Sequence, residues 1–276
     1  MAIKSMPVWK WALLLVASFI LALLIDSASE LAVDVVKPVL LNWLVAVAVS
    51  AAMVALYMVF VRWFERQPAK DIPIRKLAGD TAKGFGVGTC FFVMVVAVMS
   101  ALGLYKIMNI GLDPALGIIS SLFLFLVVAT GEEIMFRGVL FRWIDEKWGF
   151  AAALIVSAVL FGALHLLQPN ATWWSSLAIA IEAGLLLGAA YKMSGTLWFP
   201  IGIHWAWNFF QGNIFGFAVS GTDAGNSLIH SSVSGPDILT GGLFGAEASI
   251  ITVVLGAALS AWFIFRVYKK AETTDR

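Results

Sequence analysis

ALGIISSLFLFLVVAT, residues 115–130, runs directly into GEEIMFRG, residues 131–138. The first stretch approaches the roughly 20 apolar residues that carry a helix across a bilayer. The second sets two adjacent carboxylates and a guanidinium at its end. Ionisable side chains inside hydrocarbon are costly, so each of these three charges demands a partner or a task. The pair of stretches predicts a membrane helix with a built polar site.

The rest of the chain agrees with that reading. Its 276 residues are 61% hydrophobic and 13% charged, with a mean hydropathy of +0.92. That excludes an ordinary soluble domain and predicts an all-α, polytopic transmembrane helical bundle. A net charge of +1 and the absence of a basic, aromatic-interleaved stretch exclude nucleic acid as a partner. One cysteine, Cys90, allows no intramolecular disulfide and reads as a small buried hydrophobe.

Eight hydrophobic runs are marked: 11–25, 39–61, 84–105, 115–141, 150–167, 176–191, 197–219 and 249–265. The first resembles a signal peptide, with Lys4 and Lys10 before it and Ser27-Ala28-Ser29 after it, and is read as a retained helix. Arg62, Arg66, Lys70, Arg75, Lys76 and Lys83 crowd the second connection; Arg266, Lys269, Lys270 and Arg276 crowd the C-terminal tail. The positive-inside rule then makes both termini cytoplasmic, with Arg142, Lys147 and Lys192 on the same side. The connection 220–247 is polar, glycine-rich and on the outer side, and reads as a loop. One integral-membrane domain is expected over 1–276, its motif-bearing core at about 115–210. Tryptophans at 143, 148, 173, 174 and 198 fall near span ends and read as interfacial anchors. Gly84 with Gly88, and Gly184 with Gly188, offer close helix approach.

Polar groups inside the spans carry the functional reading. Glu133 and Arg137 are i and i+4, with the acid first, the favourable order for an ion pair. Glu132 is turned about 100° away and cannot share that arginine equally. His165 follows Phe161 by one turn in FGALH; His204 and Asn208 share a face in HWAWN. Glu182 lies in a sixth run with no motif around it and stays outside the site. Gly149 is the midpoint between Glu133 and His165, so straight helices would put both groups about 24 Å from that turn, at one depth. The fourth helix would then reach from Ala115 to Trp148, about 50 Å, and must project or bend near Gly138.

EExxxR, FxxxH and HxxxN, at 132–137, 161–165 and 204–208, resemble the three signatures of the CPBP family. These are intramembrane proteases of the type II CAAX prenyl protease and bacteriocin-processing (ABI) kind. The resemblance implies a glutamate-type intramembrane endopeptidase without a cofactor. It implies Glu132 as the general base, assisted by His165, with His204 and Asn208 stabilising the oxyanion. Glu133, Arg137 and Phe161 are expected to support the site. The residue chemistry agrees: hydrolysis without a nucleophilic side chain needs a carboxylate tuned by an apolar site and preorganised donors for the developing oxyanion.

Two other readings stand beside it. Glutamates, histidines and an asparagine could hold a divalent metal that activates water, although HExxH is absent. Intramembrane Glu, His and Arg also build proton relays and binding scaffolds, so a proton-coupled transporter or an immunity scaffold is the non-proteolytic alternative. The expected partners are the lipid bilayer and a peptide or membrane-protein substrate. The expected location is a bacterial cytoplasmic membrane.

Overall fold

The computed structural model describes residues 6–35, 38–111 and 115–274. Lys4 and Arg276, counted in the charge reading, lie outside them. Eight long helices follow the chain: α1 (Val8–Val35), α2 (Val39–Glu65), α3 (Ile74–Ala101), α4 (Ala115–Trp148), α5 (Phe150–Leu167), α6 (Trp173–Ser194), α7 (Trp198–Phe209) and α8 (Ile250–Thr274). Six of them, α2 to α6 and α8, are long and apolar enough to cross a membrane. The protein is a polytopic helical bundle.

The eight marked runs all coincide with helices, but two fall outside the set of six among the described residues. In α1 the apolar helix among the described residues is Val8–Ile20. In α7 the helix ends in a π-helical turn, Phe210–Ile214, well before Val219. That helix is buried on nearly every side and carries His204, Asn208, Gln211 and Asn213, so it is enclosed by protein and lacks a long apolar face.

Glycines set how closely α7 is held. A Cβ on Gly84 would stand 2.1 Å from the Phe199 carbonyl oxygen, and one on Gly88 2.5 Å from that of Ile203. Gly202 meets the Thr81 carbonyl in the same way, at 2.3 Å. The α3–α7 crossing is therefore backbone against backbone, as small-residue spacing predicts. Gly184 likewise abuts Ala158, its absent Cβ 2.8 Å from that Cα.

Helix α4 resolves its length problem by changing pitch. Ile134–Phe141, around Gly138, is π-helical, with α-helix before and after it. A π segment widens the ring of hydrogen bonds and releases carbonyls to other partners. Arg142 Nε donates to the Gly138 oxygen at 2.7 Å, while its Nη1 and Nη2 grip the buried Glu65 at 2.6 and 2.5 Å. Tyr57 and Tyr191 both donate to Asp71, at 2.6 and 3.0 Å. Arg142, read from sequence only as a charge on the cytoplasmic side, is thus part of a clamp on α4. Gly149, with φ 86°, ends the helix at the expected turn.

Several local expectations are corrected. Trp143 is fully buried and donates to Glu65 at 2.8 Å, and Trp198 is buried and donates to the Pro73 carbonyl at 3.0 Å. Their indole N–H groups serve protein acceptors instead of the interface; Trp148 and Trp173 remain exposed. Cys90 lies on an exposed face of α3, outside the core. The third run ends earlier than marked, because Tyr105–Ile110 forms strand β1. Its partner β2 (Ile229–Val233) comes from the connection 220–247, paired antiparallel with Tyr105 opposite Val233 and a bulge between Ile107 and Asn109. That connection is therefore folded onto the helices.

Gly84→Ala should lower thermal stability by about 1–3 kcal/mol, through overpacking against the Phe199 carbonyl. Gly86→Ala, with nothing within 4 Å of its added carbon, should be neutral or slightly stabilising. Melting curves in detergent check this pair; equal shifts would contradict the backbone crossing.

Candidate active site

The site is built around one carboxylate oxygen. Arg137 Nη1 donates to Glu133 Oε1 at 2.7 Å, and both side chains are wholly buried. His204 Nδ1 lies 3.0 Å from the same oxygen. Arg137 Nη2 reaches across to the Ala183 and Gly184 carbonyls at 3.5 and 3.3 Å. Those carbonyls belong to a second π segment, Ala180–Gly184 within α6, where the widened backbone can receive a guanidinium. Phe161 lies under the guanidinium, 4.7 Å from its carbon to the ring centroid, and forms a cation–π contact. Helices α4, α5, α6 and α7 thus meet on a single ion pair.

Glu132 faces elsewhere, as the helical period requires. Its side chain is 20% exposed, whereas that of Glu133 is 0% exposed. It lines a cleft of about 290 Å³ together with His165, His204 and Asn208. One wall is a stripe of α4, from Ser121 through Leu124, Phe125 and Val128 to Glu132, about 16 Å long by helical rise. The facing wall is the segment Val219–Ala224.

The two histidines are oriented by different acceptors. His165 Nδ1 stands 2.7 Å from the Phe161 carbonyl. A carbonyl can only accept, so Nδ1 carries the proton and Nε2 holds the lone pair of the neutral ring. His204 presents Nδ1 to Glu133, which leaves Nε2 towards Glu132, 3.9 Å from Oε2. That separation exceeds a hydrogen bond, yet one oxygen atom at about 2.8 Å from each would fit between them. Asn208, one turn beyond His204, lines the same cleft. All four residues named from sequence as catalytic therefore share one cleft, and all three supporting residues lie behind it.

Sequence reasoning missed the groups that shape the facing wall. Asn213 Nδ2 donates to the carbonyls of Ala224 and Asn226 at 3.0 and 2.7 Å; Gln211 Nε2 donates to Ala218 at 2.6 Å. Glu247, 2% exposed, accepts from the Ser220 amide. Only the polar QGN at 211–213, directly after HWAWNFF, hinted at such a role. Glu182 is buried on the π segment of α6, against Gly256 of α8, and neither carboxylate oxygen has a hydrogen-bond partner among the described residues. No three His, Cys, Asp or Glu side chains among the described residues are grouped to hold a metal ion.

Residues 114–210 match the family model of the Rce1-like type II CAAX prenyl endopeptidases. The segment carries an Rce1-like domain. It contains all three signatures and runs from α4 into the end of α7, consistent with a CPBP-family intramembrane protease. The family indicates a CAAX protease-like hydrolase, an integral membrane protein whose substrate is a peptide. No curated protein and no solved structure matches the chain.

Arg137→Met, which strands Glu133 as a buried charge, should cost about 3–5 kcal/mol. Adding Glu133→Gln to it should recover part of that loss. Unfolding of the detergent-solubilised protein in a denaturant titration checks both; an Arg137→Met protein as stable as wild type would contradict the ion-pair assignment.

Proposed function

We propose that the protein is an intramembrane endopeptidase in which Glu132 activates the attacking water. The observation that carries this reading is the division of labour between adjacent carboxylates. Glu133 is committed to Arg137 and His204, while Glu132 lines the cleft beside two histidines and an amide. A base must touch the water it deprotonates, and Glu132 is the glutamate with access.

The steps follow from the placement. A water between Glu132 and His165 gives a proton to the Glu132 carboxylate, and its oxygen attacks the carbonyl carbon of the peptide bond. The His165 Nε2 lone pair can accept the water's other hydrogen and so orient it. The carbonyl oxygen becomes negative and takes hydrogen bonds from Asn208 Nδ2 and, when the His204 ring carries both protons, from its Nε2. Collapse of the tetrahedral intermediate breaks the C–N bond, and the proton held on Glu132 passes to the leaving amine. Bound Glu133 keeps the His204 ring in register, so the donors are preorganised before charge develops. The stripe from Ser121 to Glu132 is long enough for an extended stretch of several residues, which fits a peptide threaded along α4.

The test is cleavage of a membrane-peptide library in liposomes. Glu132→Gln should fold like wild type and lose activity by about 10²–10⁴-fold. Asn208→Ala should lose about 10²–10³-fold in kcat. Strong chelators should leave wild-type activity unchanged. An active Glu132→Gln protein would overturn the assignment, and a reversible loss on chelation would favour water activated by a metal.

A further inference from the structure

We infer that Glu247 is a positioning residue of this site, whose buried carboxylate takes the Ser220 amide and so holds the cleft wall that faces Glu132. The inference rests on the cleft being the protease site proposed above. It starts from a strained residue. Ser220 has φ 48°, a left-handed conformation that a non-glycine residue keeps only when its surroundings hold it. Its N–H donates to Glu247, and its neighbour Gly221 is fixed on both sides. The Gly221 N–H donates to the Phe244 carbonyl at 2.7 Å, and the Gly221 carbonyl accepts from Asn170 at 2.9 Å.

Ser220 also belongs to two spaces at once. It lines the main cleft and a smaller cavity of about 20 Å³, which His165, His204, Asn208 and Glu247 share. That volume has room for about one water molecule, and its polar lining suits one. Glu247 therefore sits behind the three groups that face Glu132, and it reaches the substrate side through Ser220.

A buried carboxylate is a conditional fastening. Burial pushes the Glu247 carboxyl up to about 7, opposed by hydrogen bonds from Ser220, Gln211 and Trp207. The titratable groups facing it are Glu182 from α6, whose carboxyl feels the Glu247 charge, and His165 and His204 across the cavity. No lysine or arginine lines the cavity. With the wall in place Glu247 holds its proton to about pH 7, whereas in water a glutamate loses it near pH 4.3. Between those values the closed form binds more protons, so rising pH favours release of the wall, by up to several hundredfold once pH passes 7.

Hydrogen exchange at residues 217–222 tests this without any substrate. The rate in wild type is divided by that in Glu247→Gln at each pH, which removes the intrinsic pH dependence of exchange. Glutamine keeps an acceptor for the Ser220 amide and cannot ionise. The expected ratio is near one at pH 4 and rises tenfold or more by pH 8.5; a ratio that does not change with pH overturns the inference. If Glu247→Gln does not fold, the wild-type exchange rate at residues 217–222 is divided at each pH by that of an exposed segment away from the cleft. The same rise between pH 4 and pH 8.5 is expected, and its absence overturns the inference. On a cleaved peptide, wild-type kcat/KM should fall above pH 7 where that of Glu247→Gln does not. Exchange that follows Glu247 in a protein that cleaves nothing would sink the protease reading and leave the latch. Cleavage with pH-independent exchange would sink the latch alone.

Discussion

The hydrogen-bonded pair between Glu133 and Arg137 is the constraint on which the rest of the site depends. An isolated charge in this interior would be costly enough to unfold the region, and the pair is tolerable only because both ends are satisfied further. Arg137 reaches two carbonyls of α6 and lies over Phe161 of α5; Glu133 also receives His204 of α7. Four helices are thereby fixed to one another at the depth where Glu132 enters the cleft. Removing Glu133 frees the ring of His204 as well as stranding the Arg137 charge, so structure and geometry for chemistry are coupled at this point.

Irregular helix geometry makes that arrangement possible. In a regular α-helix each carbonyl already accepts within the helix, so a buried guanidinium finds fewer free acceptors on a neighbouring helix. The π segments at 134–141 and 180–184 release carbonyls where they are required: Gly138 to Arg142, and Ala183 and Gly184 to Arg137. Another, at 210–214, turns Gln211 and Asn213 towards the connection that walls the cleft. The same departures from regular pitch that position the polar groups also break the apolar run of α7, which is why it falls short of a membrane-crossing length. Backbone contact at Gly84, Gly88 and Gly202 holds that shorter helix in the bundle.

Much of this was legible in the sequence because it is local. The i,i+4 spacing of Glu133 and Arg137, the shared face of His204 and Asn208, the turn at Gly149 and the small residues of α3 each follow from a period of 3.6. The features that were not legible depend on residues far apart. Strand β1 pairs with a segment more than a hundred residues later, and its start looks like the end of an apolar run. Glu247 stands alone in a polar connection, with nothing nearby in sequence to mark it as buried. Trp143 sits at a position typical of an interfacial anchor, and only the fold supplies the buried Glu65 that its N–H meets. The roles proposed for Glu132, His165, His204 and Asn208 rest on their shared cleft and on the spacing of the three signatures within the family match at residues 114–210.

The central claim is that Glu132 delivers water and never bonds to the substrate. A single turnover in ¹⁸O-labelled water, with enzyme in excess over a cleavable peptide, tests it most directly by mass spectrometry of both partners. The account predicts one ¹⁸O in the newly formed product carboxylate and none in the enzyme. Label in the Glu132 side chain, with an unlabelled product, would mean that the carboxylate attacked the peptide itself and would contradict the account.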